Sequence, residues 1–146
     1  MILGAARHYK QYQKDNISTS SQGQLILMMY EGAIKNVSMA IDCMEAKDIP
    51  GKGLHIRKTH DIINELSLAL DMEKGGEVSA RLERLYQYIL GQLTLANIKA
   101  DPKTLESING VLKTLLGAWT EVINGQKAED PIAKPEQTLK RIASSC

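Results

Sequence analysis

Six apolar side chains near the end of the chain, Leu105, Ile108, Leu112, Leu115, Trp119 and Val122, follow one another at alternating steps of three and four. That spacing puts all six on one stripe of an α-helix and scatters them over both faces of a β-strand. A stripe of this kind is a seam for packing against antiparallel helices. Three earlier segments read the same way. The first runs roughly from Gln22 to Ala46, with Leu25, Met28, Gly32, Val37, Ile41 and Met44 on its apolar side. The second runs from about Gly51 to Leu70 through Ile56, Ile63 and Leu66, and the third from about Glu77 to Ala100 through Val78, Leu82, Leu85, Ile89, Leu93 and Ala96. Segments of about 20 to 26 residues are far longer than typical strands.

The breaks between segments have a local chemistry. Ser18-Thr19-Ser20-Ser21 supplies N-caps, and Asp48-Ile49-Pro50-Gly51 interrupts the apolar pattern. Gly75-Gly76 reads as a helix C-cap, where glycine tolerates positive φ. Asp101-Pro102 reads as a cap followed by proline at the first helical position. Such short connections make sequential helices antiparallel, so the expected fold is all-α, an up-down-up-down four-helix bundle. The expected organisation is an N-terminal arm over 1–16, a bundle over 17–125, and a flexible polar tail over 126–146 that contains Pro131 and Pro135. The arm carries Ile2, Ala5, Tyr9 and Tyr12 at roughly helical spacing and reads either as a marginal helix or as an arm that docks on the bundle.

Aromatic residues supply only 4% of the chain, and Phe is absent. That shortage opposes a β sandwich or barrel. Leu, Ile and Met fill most seams, so Tyr30, Tyr86 and Tyr88 are expected at half-exposed boundaries and Trp119 in the core. The 18 basic and 17 acidic residues leave a net charge of +1, and no basic cluster is longer than a pair such as Arg57-Lys58. No nucleic-acid partner is expected from that distribution. Two cysteines, Cys43 and Cys146, are too few for a disulfide framework, and Cys43 reads as a small buried hydrophobe. Neither a signal h-region nor a membrane span is expected, so the protein reads as soluble and cytoplasmic.

Catalysis finds no support in the residues. No Glu is followed by His three residues on, as a di-iron bundle requires. His55 and His60 point about 140° apart on a helix, and His8 stands in the arm. Cys43 has no His nearby in sequence to activate it. Glu73-Lys74-Gly75-Gly76-Glu77 lacks the phosphate-loop pattern and follows a helix, not a strand. No enzyme activity, metal or cofactor is expected. The remaining signal is surplus apolar surface: Ile26, Leu27, Tyr30 and Ile34 on the first helix, Ile62 and Leu68 on the second, and Tyr86, Tyr88, Leu90, Leu95 and Ile98 on the third. A compact core absorbs many of these; the rest would form grooves for an amphipathic partner.

The run Ile17-Ser18-Thr19-Ser20-Ser21-Gln22-Gly23-Gln24-Leu25-Ile26-Leu27-Met28-Met29-Tyr30-Glu31-Gly32 resembles the opening of the flagellar secretion chaperones of the FliS family. Asp61-Ile62-Ile63-Asn64-Glu65-Leu66, then Leu70-Asp71-Met72-Glu73-Lys74-Gly75-Gly76-Glu77, is similar to that family's second-helix end and turn. Leu85-Tyr86-Gln87-Tyr88, Ala96-Asn97 with Asp101-Pro102, and Ala118-Trp119 match further landmarks, in order, over about residues 9–124. Gln22 stands where the family usually has proline, and the tail after Gly125 is not covered. The resemblance implies a cytoplasmic four-helix chaperone for the disordered C-terminal segment of flagellin, holding it from early polymerisation and aiding its delivery to the flagellar type III export apparatus. Export-gate components or a co-chaperone are further partners it implies. It marks Tyr12, Ile17, Tyr30, Ile63, Leu66, Leu70, Leu85, Tyr86, Leu93 and Asn97 as client-contact candidates, some of which must be core. Leu85 and Leu93 read as core first, whereas Tyr86 and Leu70 are the stronger contact candidates. Asn97 reads equally as a client-backbone hydrogen bonder and as a helix-end amide. A general helical adaptor for another regulatory or export protein is the alternative reading.

Overall fold

The computed structural model describes residues 19–128, and all their regular structure is helical. Four helices follow one another: α1 (Thr19–Glu45), α2 (Ile49–Leu68), α3 (Met72–Lys99) and α4 (Pro102–Ala128). Each packs on its sequence neighbours, and α4 closes the ring on α1. The expected antiparallel four-helix bundle is therefore observed. The arm over 1–16 and the tail from 129 onward lie outside the described residues.

Each turn is built by side chains the sequence placed there. Asp48 caps α2 by accepting from the Gly51 amide at 3.0 Å, with Pro50 in the first turn. A Cβ on Gly51 would sit 2.7 Å from the Cys43 sulfur, so glycine lets α2 start against the end of α1. Asp101 caps α4: its Oδ1 accepts from the Lys103 amide and its Oδ2 from the Thr104 hydroxyl, both at 3.0 Å. The glycine pair differs from expectation. Helix α2 ends at Leu68, and Asp71 starts a new helical turn by accepting from the Glu73 and Lys74 amides. Gly75 lies inside that turn, and Gly76 (φ 51°, ψ −124°) kinks the chain into the long body of α3. A carboxylate that satisfies two orphan amides thus moves the break upstream of the glycines.

The core draws on all four helices. The α4 seam is buried from Leu105 through Leu115 and again at Val122, as are Leu25, Ala33, Val37 and Ala40 of α1. Ile56, Ile63 and Leu66 fill the α2 side, and Leu82, Ile89, Leu93 and Ala96 the α3 side. Each large side chain buried this way contributes about 1.5–3 kcal/mol. Gly23 marks a close approach of α1 and α4, since a Cβ there would meet Ile123 at 2.9 Å.

The aromatic residues fall otherwise than expected. Tyr30 and Tyr86 are 0% and 1% exposed. Their phenol oxygens hydrogen-bond to each other at 2.5 Å across the bundle, and the Trp119 indole N–H donates to Tyr30 at 3.2 Å. Trp119 itself is half-buried. Mutual satisfaction of the two hydroxyls is what admits both rings to the interior, where a lone phenol would be costly. Burial, and then the adjacent Tyr30, hold the Tyr86 phenol well above its ordinary pKa.

Candidate functional site

Five of the candidate contact residues are core in the folded chain: Tyr30, Ile63, Leu66, Tyr86 and Leu93 are all buried. Leu85 is half-buried and packs against that core. Leu70, in the α2–α3 turn, and Asn97, near the end of α3, are half-buried as well. The Asn97 backbone carbonyl accepts a 3.0 Å hydrogen bond from the Lys52 ammonium, which ties the start of α2 to the end of α3. Tyr12 and Ile17 lie outside the described residues.

The surplus apolar positions divide in an informative way. Tyr30, Tyr86 and Leu90 are buried, and Ile26, Leu27, Ile34 and Ile62 are half-buried. Leu68, Tyr88, Leu95 and Ile98 remain outside, at 66%, 58%, 43% and 74% exposure. Three of those four stand on α3. Tyr88 and Leu95 are seven residues apart and share one helix face with Gln92 between them. Here α3 and α4 are the least closely packed neighbours in the ring. Between them lies a small open recess of about 20 Å³, the groove of this face, lined by Tyr88, Ile89 and Gln92 from α3 and by Thr104, Ser107, Ile108 and Val111 from α4. Ile89 and Ile108 are its buried apolar members, Gln92 and Ser107 bring polar side chains to it, and the Thr104 hydroxyl is already engaged with Asp101. Such a strip combines apolar burial with polar groups that fix the orientation of a bound segment.

The α4 side of this groove was not visible in the sequence, because Thr104, Ser107 and Val111 carry no excess of apolar character. Tyr88, Leu95 and Ile98 did carry a signal, as apolar residues off the α3 stripe.

The remaining polar chemistry is structural. His55 donates from Nδ1 to Asn36 Oδ1 at 2.9 Å, while the Asn36 amide donates to the Gly32 carbonyl, linking α2 to α1. Ser67 and Glu83 hydrogen-bond between α2 and α3. Cys43 is half-buried, not core, and its thiol is raised by burial and then by Asp48 beside it. Among the described residues no group of three His, Cys, Asp or Glu is arranged to hold a metal ion. No helix among them is long and apolar enough to cross a membrane.

The family described as Flagellar protein FliS matches residues 5–126, which include the whole bundle apart from its last turn. Flagellar secretion chaperone FliS of Vibrio cholerae is 32% identical over 122 residues, covering 83% of this chain and 90% of the relative. Flagellar secretion chaperone FliSB of Pseudomonas aeruginosa is 34% identical over 119 residues, or 79% and 94% of the two chains. Flagellar secretion chaperone FliS of Salmonella typhimurium is 35% identical over 107 residues, 73% and 79% of the two chains. With the bundle, its turns and the match all falling on the same residues, the chain belongs to the FliS family of flagellar secretion chaperones.

Proposed function

We propose that this chain is a cytoplasmic export chaperone that binds the disordered C-terminal segment of flagellin. Binding keeps the subunit from polymerising early and presents it to the flagellar type III export apparatus. The observation that carries this reading is the α3–α4 groove with Tyr88, Leu95 and Ile98 exposed along α3. Apolar side chains on a closed, self-sufficient bundle add nothing to its folding and suit a partner that brings its own apolar face. A client that orders on binding spends part of the contact energy on that ordering, which keeps it releasable.

In this reading Tyr88 and Leu95 make the principal contacts. Leu70 and Asn97 add contacts at the two ends of the bundle. Tyr30, Ile63, Leu66, Tyr86 and Leu93 act from beneath, by fixing the framework. Tyr12, from the N-terminal arm, and Ile17, at the head of the bundle, would add further contacts.

Titration calorimetry of the full chain with a flagellin C-terminal peptide tests the proposal. Binding with a clearly negative heat-capacity change is the expected result, because apolar surface leaves water. Absence of binding at tens of micromolar peptide, where the free energy would be weaker than about −6 kcal/mol, sinks it.

A further inference from the structure

We infer that the α3–α4 groove selects an acidic amphipathic segment, one whose apolar side is flanked by carboxylates; this rests on the reading above that flagellin's C-terminal segment docks there. The apolar strip is bordered by cations. Arg84 stands one turn before Tyr88 and Lys99 one turn after Leu95, on the same face of α3. Lys103 stands one turn before Ser107 at the start of α4. All three are exposed, and none makes an ion pair with a described residue.

The nearby carboxylates are otherwise engaged or turned away, Glu83 beside Arg84 among them through hydrogen bonds from Ser67 and Gln87. Asp101 is committed to the α4 cap through both oxygens. Glu77 pairs with Arg81 at 2.7 Å. Glu106 lies about 200° round α4 from the groove-lining Thr104. From Arg84 to Lys99 the face is about 22 Å long, which a helical occupant of about 15 residues spans. A neutral or basic segment would gain the apolar contacts alone. An acidic one gains in addition from three long, unpaired cations at the rim, where charge complementarity acts on encounter and on partner choice.

The test compares the full chain with its triple variant R84Q/K99Q/K103Q, after circular dichroism shows equal melting temperatures. The first probe is a fluorescent flagellin C-terminal peptide, titrated at about 50 mM and about 500 mM salt. The expected result is an affinity about tenfold lower for the variant at low salt, with a flattened salt dependence. Equal affinity and equal salt dependence for the two proteins overturn the inference while leaving the flagellin reading intact. The second probe is a synthetic helical peptide of about 15 residues whose leucine stripe is flanked by Glu, run beside a counterpart with Gln at those positions. If the flagellin peptide binds neither protein, that reading fails and the synthetic pair decides the inference. A Glu peptide that binds the unmodified chain about tenfold better than the Gln peptide, with the preference gone in the triple variant, upholds it. No preference overturns it.

Discussion

At the scale of single residues, the interior contains polar groups whose worth depends on their partners. Tyr86 is the clearest case. Replacing it with Phe removes the hydrogen bond to Tyr30 while keeping the ring, and is expected to cost about 1 kcal/mol by urea denaturation. The same substitution alters pH behaviour, and the sign follows from the raised pKa. The fold favours the neutral phenol, so that contribution is complete below the unfolded value near 10 and is lost as pH rises through the higher folded value. Thermal melts across alkaline pH should therefore fall more steeply for the unmodified chain than for Tyr86→Phe. Asn109 predicts the opposite direction. It is buried in the α1–α4 interface, its amide donates to Ser38 Oγ at 3.1 Å, and its Oδ1 has no partner among the described residues. Asn109→Leu removes an unsatisfied buried acceptor and is expected to stabilise the chain by about 1 kcal/mol in the same assay. An unchanged or lower midpoint would show that this acceptor is satisfied in solution.

Elements obey rules that single residues do not reveal. The α4 seam was legible because three-and-four spacing has one helical solution, and Leu105, Ile108, Leu112, Leu115 and Val122 are buried as that spacing requires. Trp119, in the same register, is only half-buried, with its indole N–H donating inward to the buried Tyr30 hydroxyl. The tyrosines were misplaced for a related reason. Tyr30 and Tyr86 are 56 residues apart in sequence, and local spacing carries no sign that each satisfies the other. On α3 the buried stripe through Leu82, Ile89 and Leu93 sets the helix's rotation, which turns Tyr86 inward and leaves Tyr88 outside. That rotation moved the candidate site from Tyr86 to Tyr88 and brought in Thr104, Ser107 and Val111. Glycine substitutions show the element scale in stability. Gly76→Ala forces an L side chain into the φ 51°, ψ −124° kink of α3 and should cost about 1–3 kcal/mol. Gly91→Ala, in exposed helix with open space around it, should stabilise by about 0.5–1 kcal/mol. The two melting temperatures should move in opposite directions.

For the whole molecule, division of labour between inside and outside is the governing feature. The four helices close a ring and satisfy their own core, so the apolar residues left on α3 are not required for folding. Tyr88→Ala and Leu95→Ser should accordingly change the denaturation midpoint by less than about 0.5 kcal/mol while weakening peptide binding several-fold by calorimetry. Equal losses of stability and binding would place these residues in the framework instead. The fold class was open to sequence reasoning because periodicity and turn chemistry repeat over four helices. The proposed docking surface was not, because it depends on a gap between two helices that only their packing creates.

Hydrogen exchange on the full chain, with and without the flagellin C-terminal peptide, tests the outer-groove account most directly. The account predicts new protection concentrated on α3 and α4 around Tyr88 to Val111, with amides around Tyr30 and Ile63 unchanged. Protection confined to α1 and α2, or loss of protection in the core on binding, would contradict it.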